Sequence, residues 1–189
     1  VRKLIVVAVV VLVGVAVIGA YSAMQTDTSE ANVVPGTVCP TNTVNDLVAQ
    51  SVPSASLVPC VSMFGGRWSV DGEDFTSDGT TVSMTGRNSA EVTWTVSLAE
   101  SCDSASMAST GESDGAQVAQ AETQTDSSYT RTQVLTFDGG CVTSTVVIPS
   151  QFDRGLVIAD VDGALVLVPR SALNDQVRAA TDGRLGLDP

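Results

Sequence analysis

Apolar residues are distributed along this chain in three ways, and each predicts a different kind of structure. Residues 4–21, LIVVAVVVLVGVAVIGAY, form one unbroken, uncharged run. As a helix rising ~1.5 Å per residue, the run spans most of a ~30 Å hydrocarbon core and has no polar face to turn toward water. It predicts a transmembrane helix rather than a buried core helix, and Gly14 and Gly19 are commoner in membrane helices than in soluble ones. Residues 91–98 follow a second pattern. Val92, Trp94, Val96 and Leu98 alternate with Glu91, Thr93, Thr95 and Ser97, the period of a half-buried antiparallel strand. The same alternation fills 129–137 and 141–148 on either side of Asp138-Gly139-Gly140, which predicts a hairpin ended by Pro149. Shorter strands are expected at 67–70, 74–77 and 80–85, with Asp78-Gly79 turning between the last two.

The third pattern is helical. Val44, Leu47 and Val48 share one face of a short helix that Thr41-Asn42 caps and Pro53 stops. Residues 155–168 admit two structures: a hairpin turning at Asp162-Gly163, or a helix with Val157, Val161, Ala164, Leu165 and Val168 at helical spacing. The helix is preferred, although Gly163 costs it about 1 kcal/mol. Pro169 then breaks it, and Ser171 caps a second helix over 172–180. Residues 54–63 read as extended or irregular. Residues 103–128, rich in Ser, Ala, Gln, Thr and acids, offer too little apolar surface to offset the entropy of ordering them, and a mobile insertion is expected there. The organisation expected is a cytoplasmic start and signal anchor at 1–21, a polar juxtamembrane tether at 22–37, and one extracytoplasmic α+β domain at 38–189. Its antiparallel sheet is expected to have about five strands, with short flanking helices.

Charge sets the orientation. Arg2 and Lys3 stand directly before the apolar run and the next basic residue is Arg67, so the N-terminus is expected in the cytoplasm and the C-terminal domain outside the cell membrane. The run exceeds the ~7 to 15 apolar residues of a secretory signal, so it reads as an uncleaved anchor, with cleavage after Ser22 as the alternative. Both export the domain. A lipoprotein is excluded, since the first cysteine is Cys39. The net charge is −12, and the exported part carries 21 acids against seven arginines, a balance of −14. That balance argues against nucleic acid and anionic lipid headgroups as partners.

Cys39, Cys60, Cys102 and Cys141 all lie in the exported part, and an even count in an oxidising compartment predicts disulfides. Of the three possible connectivities, Cys39 with Cys60 and Cys102 with Cys141 is expected, because the first two bracket the short helical stretch and the others flank the strand region. Closing loops of about 20 and 40 residues contributes ~3 to 4 kcal/mol each in the chain-entropy model. Zinc is disfavoured by the absence of any C-x-x-C spacing and of histidine.

Trp68 after a glycine pair, FDGGCVT at 137–143 and LVPRSAL at 167–173 resemble marks of a family of uncharacterised, single-pass envelope proteins of high-GC Gram-positive bacteria. The resemblance covers residues 39 to about 184. It implies an anchored extracytoplasmic domain and favours the helical tail, and it carries over no activity.

Chemistry is mostly excluded by what is missing. Without histidine there is no Ser-His-Asp or Cys-His catalysis, and Lys3, the only lysine, precedes the anchor. Gly111-Glu112-Ser113-Asp114-Gly115 fits G-x-S-x-G by chance, in a segment with no strand-to-helix context. Carboxylates remain. Asp71, Glu73, Asp74 and Asp78 crowd one region, where a pair of close acids supports glycosidase chemistry; the bland alternative is a solvated acidic turn. The same cluster, or Asp160-Val161-Asp162-Gly163, is a loose calcium candidate, but neither matches the D-x-[DN]-x-[DN]-G loop. Trp68 and Trp94 read as core anchors before sugar platforms. Arg67, Arg87, Arg131 and Arg154 read as surface ion-pair partners, and Arg170 as a residue that fixes the angle of the tail by gripping a core carboxylate. The function expected is a non-enzymatic binding or scaffolding component of the cell envelope, held to the membrane by its N-terminal helix and contacting an envelope protein or glycan. A carboxylate-dependent cell-wall glycan hydrolase is the alternative. No catalytic residue, cofactor or metal ligand is assigned.

Overall fold

In the computed structural model, which describes residue 39 and residues 43–62, 67–76 and 78–187, the alternating stretches form the centre of a seven-stranded antiparallel sheet. The elements in order are α1 (Thr43–Ser51), β1 (Leu57–Val61), β2 (Trp68–Thr76), β3 (Gly79–Gly86), β4 (Ser89–Ala99), β5 (Ala108–Ser113), β6 (Ala116–Gln124), β7 (Ser128–Phe137), β8 (Gly140–Pro149), α2 (Arg154–Ala164), β9 (Leu165–Pro169) and α3 (Arg170–Ala180). The large sheet runs β2-β3-β4-β8-β7-β6-β5, and β1 pairs with β9 as a separate antiparallel ribbon. The anchor, the tether and the Thr41-Asn42 cap lie outside the described residues. No described helix is long and apolar enough to cross a membrane.

Alternation decides which face is covered. Val82 and Met84 on β3, Trp94 and Leu98 on β4, and Val142, Val146 and Ile148 on β8 point to one side, where α1, the β1-β9 ribbon and α2 pack over them as one core. Trp94 is fully buried, and its indole N–H donates to Ser144 Oγ at 2.9 Å, which satisfies a hydroxyl that is itself buried. Trp68 meets it edge to face with ring centroids 5.1 Å apart. Both tryptophans therefore anchor the core. The second half of the tail docks through Leu167, Val168 and Leu173, all buried. Each fully buried Val or Leu of this set contributes about 1.5 to 3 kcal/mol relative to exposure.

Both expected disulfides are present, Cys39–Cys60 with Cα atoms 5.6 Å apart and Cys102–Cys141 at 6.1 Å. The sheet is larger than the expected five strands, and the fold is mostly β. The extra strands come from 103–128, which holds the β5-β6 hairpin instead of a mobile insertion. Its order comes from the backbone rather than from side-chain burial: Gln117 to Gln124 pair residue by residue with Thr136 to Tyr129 of β7. Asp114-Gly115 supplies the turn, with φ of 52° and 79°, the conformation a two-residue hairpin demands. Of the two expectations for residues 54–63, extended or irregular, the extended one holds over Leu57–Val61, which form β1. Residues 155–168 divide: Asp153 caps α2 by accepting from the Leu156 N–H at 3.2 Å, and the helix gives way at Leu165 to β9. The following helix starts at Arg170, with Pro169 rather than Ser171 at the capping position.

Candidate functional site

The acids weighed for catalysis do not converge. Asp71, Glu73 and Asp74 lie on β2, which forms one edge of the sheet, and all are exposed. Asp78 is exposed in the turn that follows. Among the described residues, no three Cys, Asp or Glu side chains are grouped to hold a metal ion. The loose calcium candidate in α2 is divided between two guanidinium groups. Asp160 accepts from Arg67 Nη1, and Asp162 takes both arms of Arg131, at 3.1 Å and 2.5 Å.

Arg131 is the residue that the sequence reading placed wrongly. It occupies an inward position of β7 with its side chain only 6% exposed, while Asp162 is 50% exposed. Tyr129 and Arg131 share one face of the alternating strand, so an arginine there requires a partner from the covering layer, and α2 supplies it. Around this pair runs a polar ridge. Glu122 of β6 stands opposite Arg131 in register, Gln133 donates to Gln120 Oε1 at 2.9 Å, and Arg154 lies 4.8 Å over the Tyr129 ring. Burial pushes the Tyr129 phenol above its ordinary value, and the hydrogen bond and charge of Glu122 push it the same way, while Arg131 and Arg154 oppose them.

Arg170 is held to the backbone of the preceding layer. Its Nη1 donates to the carbonyl oxygens of Ala49 and Val52 at the C-terminal end of α1, and its backbone N–H donates to Ser56 O at 2.9 Å. It ties α3 to the end of another helix, where the unpaired carbonyls of the last turn favour a cation.

Among the described residues, an opening lies at each end of the sheet. The larger, about 490 Å³, is lined by Ser54, Glu100, Phe137 and the Cys102–Cys141 bridge, and Glu100 is its one acid. The smaller, about 150 Å³, is lined by Trp68, Val92, Phe152 and Val157, with the Arg67–Asp160 pair at its rim. Neither lining brings two free carboxylates together.

The outer face of the central strands has a different character. Thr81, Ser83 and Thr85 on β3, Thr93, Thr95 and Ser97 on β4, Thr143 and Thr145 on β8, and Thr130 and Thr132 on β7 fall there by alternation and register. Hydroxyls meet across strands, Thr81 with Ser97 at 2.8 Å and Thr132 with Thr145 at 3.2 Å. None of these positions carries a charge, in a chain with 21 acidic residues; the acid that shares their face is Glu91, at the start of β4. Polar alternation was legible in the sequence; its assembly into one hydroxyl-rich face required the strand order. Compared with protein-family models, with curated proteins and with solved structures, the chain matches none of them.

Proposed function

We propose that this chain is a membrane-anchored extracytoplasmic protein that binds or supports another component of the cell envelope and catalyses no reaction. The hydroxyl-rich outer face of the central strands, whose one acid is Glu91 at the start of β4, carries this reading. A partner settling on β-branched hydroxyls need not strip water from carboxylates, which is the main cost of docking anywhere else on so acidic a surface. Envelope glycan and the neutral surface of an envelope protein both meet that condition. The placement of the acids supports the same reading. Glycosidases hold two carboxyl groups about 5 to 9.5 Å apart across the scissile bond, whereas Asp71, Glu73 and Asp74 stand in water along an edge strand. The anchor rests on residues 4–21 with Arg2 and Lys3 before them, and the resemblance to single-pass envelope proteins agrees with it.

Co-sedimentation of the detergent-solubilised full chain with isolated cell envelopes tests the proposal. Binding is expected without release of sugar, and Thr95→Glu with Thr145→Glu is expected to weaken it at least several-fold by placing carboxylates on the hydroxyl-rich face. Protease-treated envelopes separate a protein partner from glycan. Glycan turnover that disappears in Asp71→Asn or Glu73→Gln, with the fold intact, would overturn the proposal.

A further inference from the structure

The two edges of the large sheet are defended unequally. An edge strand presents a row of unpaired N–H and C=O groups to any chain that can align with it, and charges, prolines and bulges are the usual defences. Both edges carry a bulge, at Val70/Gly72 on β2 and at Ser109/Gly111 on β5. Only β2 carries a charge array. If two β2 strands met antiparallel about their Asp71–Asp74 segment, each Asp71 would face an Asp74. On β5, ASTGES, the single charge is Glu112, and five of its six residues are exposed.

The β5-β6 hairpin is also the part of the sheet that pays least attention to a core. Of its residues only Ala116 is buried, and none of the helices is packed broadly against either strand. Approach to the β5 edge is therefore unobstructed by the covering layer. A hairpin with both faces wet is marginal in isolation. It is held from one side by β7, and among the described residues no strand pairs with its other side.

The geometry points to self-association: the β5 edge pairs antiparallel with the β5 edge of a second copy of this chain. The register that matches the two strands end to end puts the two-fold axis between Thr110 and Gly111, at the bulge, so the ladder forms through the residues on either side of it. Ala108 then faces Ser113, and Glu112 faces Ser109, so no carboxylate meets a carboxylate. The symmetry also closes the assembly. Each copy spends its open edge in the isologous contact, and the outer edges of the joined sheet are the two acid-bearing β2 strands, which repel further growth. A single six-residue edge is smaller than the ~1,200 to 2,000 Å² interfaces of stable complexes, so the pairing is weak in dilute solution and favoured where chains are crowded on one surface.

Site-specific photo-cross-linking of the full chain in its membrane tests this pairing, with the photoreactive residue placed in turn at Ser109, at Glu112 and, as the guarded-edge control, at Glu73. A product of twice the chain mass is expected from Ser109 and Glu112 and not from Glu73. Two charge variants then test the register, read from a photoreactive residue at the exposed Ala108. Ser109→Lys would face Glu112 across the axis twice and is expected to raise the yield about fivefold, and Ser109→Asp to lower it by a similar factor. Cross-links to a different protein, no cross-link from β5, equal yields from β2, or equal effects of Lys and Asp at Ser109 would each overturn the proposed contact. The glycan and envelope assays above do not depend on this result.

Discussion

Removing the exposed partner of the Arg131–Asp162 pair should cost more stability than removing the buried one. Arg131 is 6% exposed at its side chain and Asp162 is 50% exposed, so the two halves of the pair have different alternatives once they are separated. In Asp162→Ala the guanidinium stays inside the fold, losing both of its hydrogen bonds to that carboxylate. Breaking a fully buried pair in this way costs ~3 to 5 kcal/mol, and an exposed one ~0 to 1. Half-exposure of Asp162, and the presence of Glu122 opposite Arg131, place the expected loss between these limits, at about 2 kcal/mol. In Arg131→Met the stem is replaced by an apolar chain of similar reach, and Asp162 turns to water; the expected loss is about 1 kcal/mol or less. The double variant should sit close to Arg131→Met alone, since the uncompensated charge is gone. Denaturant titration followed by fluorescence of the buried Trp68–Trp94 pair measures all three, and an unchanged m-value would show that the midpoint reports stability. A larger loss in Arg131→Met than in Asp162→Ala would refute the reasoning, as would losses below about 0.5 kcal/mol in both.

Two further predictions concern other parts of the fold. The raised Tyr129 phenol means that the folded state holds that proton more tightly than the unfolded chain, so its contribution to stability is complete below the ordinary value of 10.0 and is lost as pH rises from there through the folded value. Ultraviolet titration should show Tyr129, one of only two tyrosines, ionising above the ordinary range in the folded protein; ionisation at or below 10.0 would contradict the described surroundings. Gly139→Ala should destabilise by at least ~2 kcal/mol, because the residue has φ of 73° and an added Cβ would collide with the Ser54 carbonyl oxygen. Gly155→Ala, where a new Cβ would meet only the Asp153 side chain at 3.3 Å, is the contrasting control, and equal effects at the two glycines would remove the steric explanation.

The strands that the sequence announced most clearly are those with one wet and one dry face. Val92 to Leu98 on β4 and the Tyr129 to Ile148 hairpin alternate because the covering layer buries only one side of them. The β5-β6 hairpin gave no such signal. With both faces polar, its order depends on backbone pairing to β7, which composition does not register, although Asp114-Gly115 was a legible turn. The β1-β9 ribbon was hidden for a different reason: Pro59 interrupts the first strand, and the partner lies more than a hundred residues away, with Val61 opposite Leu165. Arg131 had a readable clue in sharing the inward face with Tyr129, and the scattering of arginines in the sequence obscured it. The hydroxyl-rich outer face was visible only strand by strand. Its extent depends on β8 inserting between β4 and β7, a non-local choice that alternation leaves open.

The account of the protein's role depends most on which side of the membrane receives the C-terminal domain. Paired fusions after Pro189, one to a reporter active only outside the cytoplasm and one to a reporter active only within it, measure this in the native host. Activity of the outside reporter alone is predicted from Arg2 and Lys3 preceding the apolar run. Activity of the cytoplasmic reporter alone would contradict the export of the domain, and with it the proposed place in the cell envelope.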